Sequence, residues 1–177
     1  FYRDTRCVIR MHNRRHWADV RKLLEEEFLC DALKGRVRYF NTRYRSAHDH
    51  AGCICILVDD QEIISMTSLT EYKVSEEVYK RWPGSVKSRA TLSVEVEKDF
   101  AIEGVFAPWD FRIALEEFLL NPIEVSLYSE NWLIRLFAIL DRRTGKRTLN
   151  KLKQETHEYP EWLCFFLNLR LESEGMI

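Results

Sequence analysis

NWLIRLFAILDRRTGKRTLNKL, Asn131–Leu152, is the stretch around which the rest of the chain is read. Leu133, Leu136, Phe137 and Leu140 recur at i, i+3, i+4 and i+7, the spacing of one helical face, while Trp132, Ile134 and Ile139 place apolar groups on other faces. A helix apolar nearly all round is buried. Ser129 suits the N-cap, with Glu130 in the first turn; Arg142 and Arg143 suit the last turn, and Gly145 the left-handed residue that ends a helix. A second helix opening with Lys146 and Arg147 then gathers four cations, Arg142, Arg143, Lys146 and Arg147, at one inter-helix corner.

The rest of the chain has to cover that helix pair. Its 177 residues, 46% apolar, suffice for a substantial core and suit one domain or two tightly packed subdomains. Charged residues make up 31% but cancel to a net charge of −1, so anion binding would have to come from local patches rather than an overall basic field. The cysteines, Cys7, Cys30, Cys53, Cys55 and Cys164, are odd in number and form no C-x-x-C pair, which argues for a reduced chain rather than a disulfide framework. Cys53 and Cys55 share one face of a strand and make a poor disulfide. No apolar run approaches the roughly 20 residues that span a bilayer, and with these thiols the expected location is the cytoplasm.

Residues 1–10, FYRDTRCVIR, precede Met11 and read as an extension or tag-like segment. Residues 11–68 read as a helix plus a β-meander. Trp17, Val20, Leu24, Phe28 and Leu33 follow helical spacing between His12 and Leu33, with Glu25, Glu26 and Glu27 on the solvated side and Gly35 closing the helix. Arg36–Arg45, Cys53–Val58 and Glu62–Met66 read as antiparallel strands, with a turn over Ser46–Gly52 and Asp59-Asp60 as a two-residue hairpin connection.

Residues 69–177 turn helical. Tyr72, Val78, Tyr79 and Trp82 are the expected buried positions of a helix over Thr70–Trp82, stopped by Pro83-Gly84. Residues 85–104 read as helix despite the alternation of Leu92, Val94 and Val96. Phe111, Ala114, Leu115, Phe118 and Leu119 fit one helical face, Asn121-Pro122 opens a short helix to Leu127, and Tyr159-Pro160 opens the last helix, burying Trp162, Phe165, Phe166 and Leu169 before Gly175. The expected fold is α+β: an N-terminal helix and a three-stranded antiparallel meander on a C-terminal stack of short helices. SENWLIRLFAILDRR has the look of one HEAT-type unit, without a second copy at a fixed period.

The runs FLCDALKGRVRYFNTRYRSAHDHAG, ILVDDQEI, ALEEFL, LIRLFAILDRRTGKRTL and PEWLCFFLNLRLESEG resemble those of an uncharacterised bacterial family of small soluble hypothetical proteins. The likeness extends over most of the chain from Met11, with LDRRTGKRTL its most distinctive part, and implies no activity, cofactor or residue role.

Three constellations carry the functional expectations. Arg36, Arg38, Arg43 and Arg45 are interleaved with Tyr39, Phe40 and Tyr44; arginines attract phosphates and aromatic faces stack bases, although a strand with one solvated face explains the same pattern. His48, Asp49 and His50 are metal-ligand types in a turn, but lack a second ligand pair at diagnostic spacing, so a polar turn is the plainer reading. The corner of Arg142, Arg143, Lys146 and Arg147 offers an anion site, or else internal ion pairs in which Asp141 is partnered. No G-x-S-x-G elbow or glycine-rich phosphate loop is present. No cofactor is implied. The expected function is a binding or regulatory protein that recognises another protein, or an acidic polymer such as nucleic acid, through Arg38, Arg43, Tyr44, Arg45 and the corner. The alternative is a metal-dependent phosphodiester hydrolase using His48, Asp49 and His50.

Overall fold

A computed structural model describes residues 16–43 and 52–177. Helix α1, Trp17–Lys22, runs on as a π-helical turn over Leu23–Phe28, and the chain then leaves helical geometry at Leu29. The helix expected to reach Leu33 therefore stops at Phe28, with a separate 3-10 turn over Asp31–Leu33. A tertiary bond takes the place of the next helical one: Leu29 bridges Asp141, and the Cys30 amide donates to the Leu140 carbonyl at 3.0 Å. Gly35 has a φ of +82°, the left-handed turn that a glycine adopts without strain.

The meander is β1 (Val37–Arg43), β2 (Gly52–Val58) and β3 (Gln61–Thr67), antiparallel in the order β1-β2-β3. Its inner face buries Val37, Tyr39, Ile54, Ile56, Val58, Ile64 and Met66. Asp59 and Asp60 both have positive φ, 49° and 65°, as a two-residue turn with the twist of the flanking strands requires. Register slips between Ile56 and Leu57: Ile56 faces Ile64 while Leu57 faces Glu62, leaving Ile63 as the extra residue of a bulge. Glu25 is not simply solvated, since its carboxylate accepts the Tyr39 amide at 2.8 Å and ties the first helix to the sheet.

The helices are α2 (Thr70–Arg81), α3 (Arg89–Ile102), α4 (Pro108–Leu120), α5 (Ile123–Ser126), α6 (Trp132–Leu140), α7 (Lys146–Gln154) and α8 (Glu161–Ser173). Together with the sheet they make the fold α+β. One core joins the inner sheet face to Phe111, Phe118, Phe137, Phe166 and all but two residues of α6. Phe111 packs edge-on against Phe137 at 5.3 Å, a geometry favoured by ring quadrupoles.

Helices α2 and α3 form a hairpin on a separate small core of Val78, Leu92 and Val96 with Val74 and Phe100. Leu92 and Val96 are buried four residues apart while Val94 is half exposed, so the alternating pattern belongs to a helix. The hairpin's base is pinned to the body. The Thr70 hydroxyl donates to the Phe106 carbonyl at 2.8 Å, and the Trp162 indole donates to the Ala101 carbonyl at 3.0 Å. Gly104, at φ +78°, lies under that indole; a Cβ there would meet Trp162 Cδ1 at 3.1 Å.

Candidate binding surfaces

The corner after α6 is built differently from its sequence expectation. Helix α6 starts after Asn131, whose Oδ1 accepts the Leu133 amide at 3.0 Å, while Ser129 supports that cap by accepting the Asn131 amide. The helix ends at Leu140, so Arg142 and Arg143 lie in the connection rather than in a last helical turn. Gly145 is extended, with φ −80° and ψ 163°, and stands at the start of α7 rather than in the left-handed conformation. The cause is Asp141, pulled into an extended bridge with Leu29 and 1% exposed.

Buried, that carboxylate has to be partnered, and it is. Asp141 accepts the Arg143 amide at 2.7 Å and the same residue's guanidinium through Nε at 3.0 Å and Nη2 at 2.7 Å. The guanidinium also lies over Phe28 at 5.0 Å and Phe118 at 5.6 Å. Thr144 donates its hydroxyl to the Ala138 carbonyl at 2.6 Å. Arg170, 3% exposed on α8, completes the corner from beneath. Its Nη1 reaches the Leu140 carbonyl at 3.4 Å and its Nη2 the Thr144 carbonyl at 3.2 Å, with Glu174 at 3.1 Å. Burial pulls the Arg170 pKa below its ordinary value, and the Glu174 charge opposes that shift. Arg170 was not foreseen as part of this corner; the available signal was its place four residues after Phe166 on the buried face of α8.

Of the four corner cations, Arg143 is therefore internal, and Lys146 donates to the Glu174 carbonyl at 2.9 Å. Arg142 and Arg147 are exposed, and their guanidinium groups make no hydrogen bond or ion pair among the described residues. The strand arginines are similarly committed. Arg38 Nη1 meets Asp60 at 2.6 Å, and Arg36 makes a two-pronged pair with Asp59 at 3.0 and 2.7 Å and reaches Ser173 at 3.0 Å. The turn aspartates thus meet Arg36, just before β1, and Arg38 within it, and the hydrogen bond from Arg36 holds the Asp59 carboxyl below its usual pKa. Arg43 belongs to β1, opposite Gly52, and its side chain lies outside the described residues, as do Tyr44, Arg45, His48, Asp49 and His50. The structure places Arg38 at the hairpin-turn end of the sheet and the other four cations at the helix corner; Arg38, Arg143 and Lys146 meet carboxylates of their own fold.

A surface that the sequence reading assigned to the core lies on α2. Tyr72, Tyr79 and Trp82, expected to be buried, are 64%, 56% and 44% exposed, and Leu69 is 51% exposed. At about 100° per residue these four fall within an arc of roughly 140°, whose middle lies opposite Val74. Helix α2 thus has an inner apolar face that meets α3 and an outer one without cover among the described residues. Arg89 holds the outer aromatics in place, its guanidinium 4.5 Å from the Tyr79 ring centre and 5.3 Å from that of Trp82. Helix α4 also turns Ile113 and Leu120 outward. Phe165, expected to be buried, is 41% exposed on α8.

The cavity lined by Leu24, Phe28, Tyr39, Phe118 and Asp141 holds about 10 Å³, barely the room of one water and far below a small-molecule site of roughly 300 Å³ or more. Among the described residues no helix is long and apolar enough to cross a membrane. The model of the SF0329 protein family matches residues 16–171, so the chain belongs to that family, which is one of uncharacterised type. Neither a curated protein nor a solved structure matches the chain.

Proposed function

We propose that this SF0329-family chain is a cytoplasmic bacterial binding protein that docks a partner protein on the outer face of α2. The observation that carries the reading is the second apolar face of that helix, Leu69, Tyr72, Tyr79 and Trp82, with Arg89 stacked on two of its rings. Tyrosine, tryptophan and arginine are the residues enriched where protein partners bind most strongly, and a patch already held in one conformation loses little freedom on docking. Protein is favoured over an acidic polymer because Arg36, Arg38, Arg143 and Lys146 have partners within their own fold. Arg142 and Arg147 remain as a lesser contact for acidic side chains. The free thiols of Cys30, Cys53, Cys55 and Cys164 support a reducing compartment.

The test is co-purification from the native host with the wild-type chain, a Tyr79→Ala/Trp82→Ala variant and an Arg142→Glu/Arg147→Glu variant. The expected result is one protein recovered stoichiometrically with the wild type and the corner variant and lost from the aromatic variant. A partner retained by the aromatic variant, or nucleic acid recovered in place of protein and lost from the corner variant, overturns the assignment.

A further inference from the structure

Strand β2 carries two thiols on the sheet face turned away from the core. Cys53 and Cys55 stand two apart, so they share that face, and their Sγ atoms are 3.1 Å apart. In register, Cys55 lies between Phe40 of β1 and Ser65 of β3. The Ser65 hydroxyl is 3.1 Å from Cys53 Sγ, and Cys55 Sγ donates to Glu62 Oε2 at 3.1 Å. Phe40, Glu62 and Ser65 are exposed, Cys53 is half-buried and Cys55 is buried beneath them.

The β3 bulge puts the carboxylate there. Counting back from the buried Met66 and Ile64, strict alternation turns Glu62 inward. The extra residue Ile63 resets the count and places Glu62 opposite Leu57, on the thiol face. Bulges beside sites re-aim a side chain in this way. A carboxylate turned onto a thiol pair is an acceptor for the proton that one of them must lose.

The spacing points away from a disulfide and towards a bridging atom. Cα atoms two apart on a strand lie about 6.6 Å from each other, near the upper limit for an S–S bond. Two thiolates about 2.3 Å from one centre and held at this separation subtend about 85°, close to the angle of a three-coordinate pyramid. A tetrahedral ion would need the sulphurs opened to about 3.8 Å.

We propose that Cys53 and Cys55 are a chelating dithiol for a soft, thiophilic centre of the trivalent arsenic class, with Glu62 receiving the Cys55 proton. For an organoarsenic oxide, both S–H bonds and the As–O bonding break, two As–S bonds form, and one water leaves carrying the two thiol protons, one of them passed through Glu62. Arsenic keeps its oxidation state, so no further oxidant or reductant enters. Burial, reinforced by the hydrogen bonds with Cys53 and Glu62, pushes the Cys55 thiol up to about 12. It therefore holds its proton until the ligand and the carboxylate act together.

The test treats the reduced full chain with phenylarsine oxide and reads intact mass. The expected result is one adduct per chain, heavier by the arsenical less one water, stable to a monothiol and released by a 1,2-dithiol. Cys53→Ser and Cys55→Ser each lose the monothiol-stable adduct, whereas Cys30→Ser/Cys164→Ser keeps it. Absence of the adduct from the wild type, or its persistence in Cys53→Ser, overturns the proposal. Cys53 is the more exposed thiol, so that variant carries the test if Cys55→Ser does not fold by circular dichroism. Glu62→Gln reaches the same yield several-fold more slowly; an unchanged rate removes Glu62 from the proton path.

Discussion

The α6–α7 corner and the α2–α3 hairpin invert the usual use of their residues. The corner is rich in charge, yet its buried carboxylate and its guanidinium groups largely serve one another: Asp141 with Arg143, and Arg170 with two backbone carbonyls and Glu174. The hairpin carries the aromatic stripe, and it turns the stripe outward. A charged cluster is therefore weak evidence for a binding site when buried backbone carbonyls need donors. An aromatic stripe is equally weak evidence for a core when the helix bearing it has one neighbour.

The largest effect expected from this contrast is at Asp141. Removing the buried carboxylate leaves the Arg143 amide without its acceptor and a void at Asp141, while the half-exposed Arg143 guanidinium turns to water, so Asp141→Ala is expected to cost about 3 kcal/mol. At about 3 °C per kcal/mol for a chain of this length, calorimetry would read a fall of about 9 °C; a shift below about 3 °C would show that the corner is not structural. Next comes Val96→Ala, which leaves a void in the hairpin's small core and is expected to cost about 2 kcal/mol. Because that core is separate from the main one, amide exchange should quicken in α2 and α3 while α6 keeps its protection. Equal acceleration in α6 would merge the two regions into one cooperative unit.

Tyr79→Ala with Trp82→Ala should cost less than about 1 kcal/mol, since the rings are exposed and lose chiefly their stacking on Arg89. A loss above about 2 kcal/mol in denaturant unfolding would make the stripe part of the fold. Smallest is Arg142→Glu with Arg147→Glu, expected to stay within about 0.5 kcal/mol because neither guanidinium makes a hydrogen bond or ion pair among the described residues and Arg142 acts on the exposed Asp31 only weakly. Weaker retention on a polyanion column without that change in stability would mark the two arginines as the outward share of the corner.

Much of the architecture was legible in the order of residues. The meander, its two-residue turn and the buried face of α4 all follow from periodicity and turn chemistry, which act within a few residues, whereas the helix within residues 85–104 was read from its charged content against an alternating pattern. Asp141 as a partnered carboxylate was expected for the same reason, since it stands beside an apolar helix. The outward stripe on α2 was missed because Tyr72, Tyr79 and Trp82 obey helical spacing whether that face is covered or open. Ser129, Glu25 and Gly145 were misplaced because each depends on a neighbour brought in from elsewhere or on where the adjacent helix stops.

By itself, then, the sequence determined which segments are helix and which are strand, because propensity, capping and hydrophobic spacing act through adjacent residues. Only the tertiary structure decided which cations are paired within the fold. Arg170 meets Leu140 and Thr144 from 30 and 26 residues away, and Arg36 meets Asp59 across 23. It also decided that α2 turns Tyr72, Tyr79 and Trp82 outward and that the β3 bulge turns Glu62 onto the thiols. Burial and pairing depend on neighbours in space, and chain order alone does not fix who those neighbours are.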